Sequence, residues 1–212
     1  MLFLCALAIS VKAQSPTQNY VLSKDVLDVD GTHAITTVTY YDGLGYPVET
    51  ATNGLGGTGK YAYTLLEHDA LGREKQSWLP GTQKDGCSFV APSELSSSLI
   101  TFHKDRNPYS VNSYDALDRQ VSTLGAGESW FTAKKFVEQR YCSNVANSVK
   151  RYQVSGSGSL VENGFYAANS LSMLEVTDED GKTKQTFSDL FGNKVLERRD
   201  VDNDTYLSLI HI

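Results

Sequence analysis

Positive charge is scarce in this sequence, which has 19 Lys and Arg residues against 25 Asp and Glu residues and a net charge of −6. A nucleic-acid-binding domain needs a basic footprint, so we expect no nucleic-acid partner. Motifs for metals and nucleophiles are missing too, since the three cysteines and four histidines show no C-x-x-C or H-x-x-x-H spacing and G-x-S-x-G does not occur. We therefore expect a protein that is not an enzyme, with no catalytic, cofactor-binding or metal-ligating residue to name.

Long hydrophobic runs are missing as well, because about 20 apolar residues are needed to span a bilayer. The run from Leu2 to Val11 is short, and it is followed by Ala13 and then by a polar stretch, which is the pattern of a secretory signal. We predict a signal peptide over residues 1–13, with a clipped start because its positively charged beginning is missing. A buried N-terminal strand is the alternative. The signal predicts a secreted or cell-surface protein without a stable membrane span.

The sequence is rich in Tyr and Gly and contains an internal repeat. Twelve Tyr and 17 Gly against two Met are a β-rich, turn-rich composition. Four stretches align without gaps on an aromatic or polar residue, Asp, any residue, Leu or Phe, and Gly or Asp, and a partial fifth copy follows the same order. The copies are YYDGLGYPVE (40–49), EHDALGREKQ (67–76), SYDALDRQVS (113–122), FSDLFGNKVL (187–196) and the partial TDEDGKTKQTF (177–187).

Each repeat copy has the chemistry of a β-hairpin. Asp accepts backbone N–H groups and starts a turn, Gly supplies positive φ, and the flanking residues alternate as in strands. LDVDGTHA at 27–34 adds another Asp-Gly hairpin signal. We predict an all-β fold of irregular antiparallel hairpins, with at most one short helix near 93–103, where Leu95 and Leu99 have helical spacing. We predict a strand over 128–141, and a flexible loop or a hairpin tip over 153–164.

The stretch NGLGGTGKY at 53–61 matches both the G-x-G-x-x-G fingerprint and the first seven positions of the P-loop. Either motif needs a helix behind the glycines, and a P-loop needs Ser or Thr after Lys60. Tyr61 follows instead, and an alternating stretch reaches the next turn within ten residues. We therefore expect a loop that binds no nucleotide.

The acidic runs raise the question of calcium binding, and the cysteines raise the question of a disulfide. DVDND at 200–204 begins like a calcium-binding EF-hand loop, but Thr205 replaces its glycine and His211 its closing glutamate. Hairpin turns explain such runs, and a weak surface calcium site is the alternative. After removal of the leader, Cys87 and Cys142 remain, and both a disulfide and two free thiols stay open.

The repeat resembles the YD repeat of RHS proteins, which are large secreted proteins of bacteria. The similarity is clearest at 114–119 and 69–73, and 19–51 resembles the start of an N-terminal domain that precedes the repeats of RHS repeat-associated core proteins. WLPG at 78–81, GAGESW at 125–130 and the segment 177–196 continue the resemblance, which thus covers roughly residues 19–206.

Several positions depart from the family pattern. Tyr46 stands where the family usually has Arg, His68 replaces the repeat Tyr, and Asp118 replaces Gly, while Ser188 and Asn193 depart in the last copy. Such departures are expected near the end of a repeat array, because terminal repeats are atypical.

The resemblance implies a scaffold. RHS repeats wind as a β-sheet ribbon into a hollow shell that encloses a variable C-terminal effector, such as a polymorphic toxin. Residues 14–206 would be an RHS-type N-terminal domain with YD-like repeats and part of that shell, and its partners would be the downstream repeats and the effector. We expect LSLIHI at 207–212 to be a non-native tail, with a true last strand as the alternative.

The second functional class is an extracellular adhesion or carbohydrate-binding module. Rows of Tyr, together with Trp78 and Trp130, could stack on sugar rings at an outer face. The alternative use of these aromatic residues is to fill the core and the cross-strand pairs of the sheet.

Overall fold

A computed structural model describes residues 17–53, 60–83, 86–201 and 205–210 of the chain. The predicted leader at 1–13 lies outside these residues, as do the glycines at 54–59. The described residues divide into two compact units, one running up to Ser110 with Ala126–Glu128 added, and one formed by Val111–Gly125 and the residues from Ser129 onward.

Unit 1 is an antiparallel sheet with one helix. Strands β1 to β5 pair in chain order, and β6 pairs with the first part of β4 while β5 pairs with its last part. Its elements are β1 (Asn19–Val26), β2 (Ala34–Tyr41), β3 (Pro47–Asn53), β4 (Tyr61–His68), β5 (Glu74–Trp78), β6 (Gly81–Gln83), α1 (Pro92–His103) and the first residues of β7 (Tyr109–Tyr114).

The core of unit 1 lies between one face of this sheet and α1. Strand alternation places Val38 and Tyr40 of β2 on the buried face, as the sequence pattern predicts. Leu95 and Leu99 of α1 pack against the same cluster. Gly81 permits the close approach of the helix, because a β-carbon at this position would overlap the Leu99 side chain. The predicted helix near 93–103 is confirmed.

Unit 2 is also antiparallel, but its strand order skips a hairpin. The order is β7, β8, β9, β12, β13, β14 and β15, and β10 and β11 form a two-stranded sheet of their own. The elements are β8 (Gln120–Leu124), α2 (Glu128–Ala133, whose first residue belongs to unit 1), β9 (Phe136–Ser143), β10 (Lys150–Val154), β11 (Leu160–Phe165), β12 (Ser172–Thr177), β13 (Thr183–Ser188), β14 (Lys194–Val201) and β15 (Thr205–Ile210).

The all-β prediction is confirmed, with one correction. The prediction of a strand over 128–141 was wrong in its first half, where the six-residue helix α2 forms a second short helix. The Asp105 carboxylate accepts the Glu128 backbone N–H at 2.9 and 3.0 Å, and so satisfies a free donor at the helix start from 23 residues away. No pattern within 128–141 can show this long-range cap.

A predicted loop and part of the predicted tail lie on strands. Residues 153–164 form the tip and part of both strands of the hairpin β10–β11, which matches the hairpin alternative. Residues 205–210 form β15 and pair with β14 from Val201↔Thr205 to Leu196↔Ile210. The origin of the segment 207–212 stays a prediction.

Candidate functional site

Five hairpins of the two units close with the same five-residue turn, which we call the aspartate turn. Counting from the aspartate as position 1, its Oδ1 accepts the backbone N–H groups of positions 3 and 5 at 2.8 to 3.0 Å. Position 4 has positive φ, between 60° and 88°. The predicted hairpin turns are thus present at all five repeat copies, which start at Asp42, Asp69, Asp115, Asp178 and Asp189.

The side chain at position 5 completes three of these turns. Arg73 donates its Nε to Asp69 Oδ2 at 2.7 Å, and Arg119 makes the same bond to Asp115 at 2.8 Å. Asn193 donates its amide in the corresponding place. Each of these side-chain bonds lowers the pKa of its aspartate. The carboxylates are therefore stabilised as anions, the state in which they act as acceptors for the turn.

The turn also occurs where the repeat pattern does not predict it. Within 155–159, Ser155 takes the place of the aspartate, since its backbone and hydroxyl accept the N–H groups of Gly158 and Ser159 at 2.9 and 3.2 Å. Gly158 has a φ of 79°. The spacing Ser-x-x-Gly was the available signal, and serine is a weaker version of the aspartate turn-former.

Two residues of neighbouring repeat copies contact one another. Tyr46 occupies position 5 of the first turn, and its ring stacks on His68 at a centroid distance of 5.3 Å. The same ring covers Gly72 of the second turn, where a β-carbon would overlap its atoms. Because β2 to β5 alternate in direction, these two turns lie at the same end of the strands. Tyr46 and His68 therefore form a contact between neighbouring turns.

The tips of the aspartate turns expose large apolar side chains. Position 3 is Leu44, Leu71, Leu117 and Phe191 in four of the copies, and each is between 67% and 90% exposed. The turn uses only the backbone of this position. Local turn chemistry therefore does not explain why the position is apolar.

In four copies the turn is followed by a β-bulge that controls which residues face the core. One extra residue lies on the second strand, six positions after the aspartate. Val195 and Leu196 both join the core of unit 2 as a result, so the alternation that we expected of the residues flanking each repeat turn fails there. In the first copy the residue corresponding to Leu196 is Glu49.

Glu49 is fully buried in the core of unit 1. The Val90 backbone N–H donates to its carboxyl at 3.2 and 3.3 Å, while Tyr40 donates to the Cys87 carbonyl at 2.6 Å and Tyr63 donates to the Ser88 carbonyl at 3.0 Å. These three side chains come from adjacent strands and together hold the segment 86–90 over the sheet. We call them the buried polar row. The residue pattern gave no signal for it, because the bonded partners are 25 to 47 residues apart in the sequence.

Burial raises the pKa of Glu49 to about 7, against the opposing effect of the Val90 N–H. Burial also raises the pKa values of Tyr61, Tyr63 and Cys87 in the same part of unit 1. These three groups are neutral at physiological pH. The net charge of the buried polar row therefore depends on whether the Glu49 carboxyl is protonated.

The other sequence hypotheses have the following outcomes in the structure. Tyr61–His68 is a strand, where a nucleotide motif needs a helix. The described residues contain no group of His, Cys, Asp and Glu that could hold a metal ion, and residues 202–204 and 211 of the EF-hand-like run lie outside them. Cys87 and Cys142 are free thiols. Within the part of the chain that the structure describes, no helix is long and apolar enough to cross a membrane.

The aromatic residues divide between core and surface. Trp78 is buried against Tyr109, at a centroid distance of 4.5 Å, and Tyr40 and Tyr63 belong to the same core. Trp130 is 39% exposed. Of the two tryptophans, Trp130 is therefore the one available for stacking on a ligand.

The comparisons give a family but no characterised relative. A family model described as a domain of unknown function, DUF6443, matches residues 10–143, which is more than half of the chain. The chain belongs to the DUF6443 family. No curated protein and no solved structure matches it. The matched segment of this DUF6443 chain contains the aspartate turns at Asp42, Asp69 and Asp115 and the whole buried polar row.

The contact between the first two turns predicts a difference between two glycines of this DUF6443 protein. Gly45 and Gly72 both have positive φ, but a β-carbon meets open space at Gly45 and the Tyr46 ring at Gly72. Gly45→Ala should cost about 1–2 kcal/mol of unfolding free energy for the left-handed backbone alone, and Gly72→Ala should cost more. Urea unfolding of the two variants measures the difference. Equal losses, or an undiminished excess when Tyr46→Ala is added, would contradict the contact.

The raised pKa of Glu49 predicts a pH-dependent stability. The folded state holds this proton more tightly than the unfolded state, so its contribution is complete below pH 4.5 and is lost as pH rises to about 7. Glu49→Gln should therefore gain stability relative to the parent chain between these values, by about 2–4 kcal/mol above pH 7. Urea unfolding at pH 5 and pH 8 measures this gain.

The control for this prediction is Glu94→Gln, which makes the same chemical change at an exposed residue of α1. Its effect should be within about 0.5 kcal/mol at both pH values. If Glu49→Gln is no more stabilising at pH 8 than at pH 5, the assignment of a neutral buried carboxyl is wrong.

Proposed function

We propose that residues 14–206 are a non-enzymatic β-scaffold, the N-terminal part of a secreted or cell-surface RHS/YD-repeat protein that encloses or delivers a C-terminal effector outside this chain. The observation that carries the proposal is the aspartate turn, which recurs at five repeat copies with the same hydrogen bonds. In each copy the carboxylate is used to close a hairpin. A repeated unit of this kind builds a sheet of neighbouring hairpins, which is what a repeat scaffold needs.

The exposed tips support a scaffold that is embedded in a larger protein. Leu44, Leu71 and Leu117 stand in solvent although the turn does not require an apolar residue there. Burying a leucine side chain contributes roughly 1.5–3 kcal/mol. Apolar side chains repeated at one position are therefore suited to contact with a further layer of protein.

Strand β1 also supports a scaffold that is embedded in a larger protein. It lies at the end of the strand order of unit 1, and Val21 and Val26 are both more than half exposed. An open sheet edge with apolar side chains pairs readily with other chains unless it is protected. Packing inside a longer RHS-type shell would supply that protection.

The test compares this chain with the product of the longer reading frame that the proposal requires. Leu44→Ser combined with Leu71→Ser should leave the thermal unfolding of the present chain unchanged, because both side chains are exposed. The same pair should cost the longer protein about 2 kcal/mol or more, since its tips are covered. Calorimetry of the four proteins measures both effects.

A second pair of substitutions, Val21→Ser with Val26→Ser, applies the same comparison to the exposed edge strand β1. A reading frame that continues without further YD units would overturn the proposal. Equal and negligible effects of the leucine pair in both proteins would also count against it, because the tips would then be uncovered in the longer protein.

A carbohydrate-binding module is the second candidate, and Trp130 is the observation that favours it. Its indole is partly exposed beside Lys135, which pairs with Asp180 at 3.1 Å and donates to the Glu179 carbonyl at 2.8 Å. Trp130, Lys135 and Asp180 line an open cavity of about 230 Å³. An aromatic face next to charged hydrogen-bonding groups suits a sugar ring.

Trp130→Ala should abolish saturable binding to a glycan panel if this second function is correct. The matched control is Phe191→Ala, which removes an exposed aromatic ring at a turn tip and should leave binding unchanged. Glycan-array binding followed by titration measures both. Absence of binding by the unchanged chain would remove this candidate and would leave the scaffold proposal untouched.

A further inference from the structure

Unit 2 contains a cavity that neither the scaffold proposal nor the Trp130 site uses. The cavity has a volume of about 300 Å³ and lies between the hairpin β10–β11 and strand β14. This is near the lower end of the roughly 300–1,000 Å³ of small-molecule sites. Its position within one unit makes it a candidate site for a small ligand.

Core contacts hold the walls of this cavity in place. Val149, directly before β10, is buried in the same cluster as Phe187 and Leu196, and so attaches the hairpin to the sheet. Asn144 is buried at the start of the β9–β12 connection, where its side chain donates to the Ala167 carbonyl at 2.8 Å and accepts the Leu171 N–H at 2.9 Å. Both ends of the connection are thereby fixed.

The floor and one wall of the cavity are apolar. Val195 and Leu196 both reach it because the bulge of the last aspartate turn turns them to one side. Tyr152 and Phe165 line the hairpin wall. An apolar floor beside two aromatic rings suits the face of a ring-shaped ligand.

The rim carries positive charge. Lys150 and Arg198 line the cavity, and the described lining residues include no carboxylate. Lys150 forms an ion pair with the Glu162 carboxylate at 2.9 Å, so a ligand anion would share this cation with Glu162, and Arg198 donates to the Ser148 carbonyl. An ammonium has three N–H donors and a guanidinium has five, so each of these contacts uses one donor of several. Two cations above an apolar floor recognise an anion with an apolar or ring-shaped body.

We propose that this cavity binds a small carboxylate carried on a ring, with the carboxylate at Lys150 and Arg198 and the ring against Tyr152, Phe165 and Leu196. Acidic sugar units and aromatic or alicyclic carboxylic acids share this chemistry. The inference is independent of the scaffold function, because it rests on the cavity alone.

The test is a titration of the full chain, followed by NMR chemical shifts, with four probes. The probes are a hexuronate, its methyl ester, benzoate and the neutral benzamide. We expect saturable shifts of amides around Lys150, Tyr152 and Phe165 with a carboxylate probe, and at least tenfold weaker binding of the matched neutral compound. A hexuronate-selective response identifies an acidic sugar site, and a benzoate-selective response identifies an aromatic acid site.

The variants separate the site from general electrostatics. Lys150→Gln and Arg151→Gln remove the same charge from neighbouring residues, but Arg151 does not belong to the described lining of the cavity. Lys150→Gln should weaken binding about tenfold, which corresponds to one charge-assisted contact, and Arg151→Gln should weaken it less than twofold. Arg198→Gln, if that variant folds, should weaken binding of the carboxylate probe in the same way as Lys150→Gln.

Three results would overturn the proposal. The first is the absence of a saturable shift with either carboxylate probe at millimolar concentration. The second is equal binding of the hexuronate and its ester, since the cations would then play no part. The third is an equal effect of Lys150→Gln and Arg151→Gln, which would place the binding outside the cavity.

Discussion

The structure depends on one interaction, the acceptance of two backbone N–H groups by a single aspartate Oδ1. The bonds run to the third and fifth positions of the turn and satisfy donors that the reversing chain would otherwise leave without a partner. A residue with positive φ at position 4 completes the reversal, and glycine or aspartate can supply it. In each of these hairpins the pairing of the two strands begins directly beside this turn.

The same turn determines which side chains reach the core. Because a bulge follows it at four copies, the residues on the second strand are shifted by one relative to simple alternation. The shift brings Val195 and Leu196 together in unit 2. In unit 1 it buries Glu49 opposite Tyr40, at the position that Leu196 has in the last copy. One hairpin geometry therefore places a leucine in the core of one unit and a buried carboxyl group in the core of the other.

Variation at position 5 of the turn connects neighbouring strands in different ways. Arg119 bonds its own aspartate and also stacks over the Tyr141 ring at 4.3 Å. Tyr46 has no guanidinium to offer its aspartate and instead stacks on His68. Tyr46 and His68 are thus paired in space, and a change at one position would be expected to require a change at the other.

The sequence by itself determined the hairpins, because every bond of the aspartate turn lies within five consecutive residues. The same holds for helix α1, whose Leu95 and Leu99 show their spacing in the sequence, and for the strand that follows Lys60 in place of a nucleotide-binding helix. Residue type and spacing carry all the information that such local elements need.

The tertiary structure alone decided the rest. The pairing of β9 with β12 isolates the hairpin β10–β11 and opens the cavity beside β14. The cap of α2 comes from Asp105, and the donor for Glu49 comes from Val90, 41 residues along the chain. These partners are brought together by packing, and their separation in sequence leaves no periodic signal. For that reason the turns could be predicted residue by residue, whereas the buried carboxyl and the cavity required the fold.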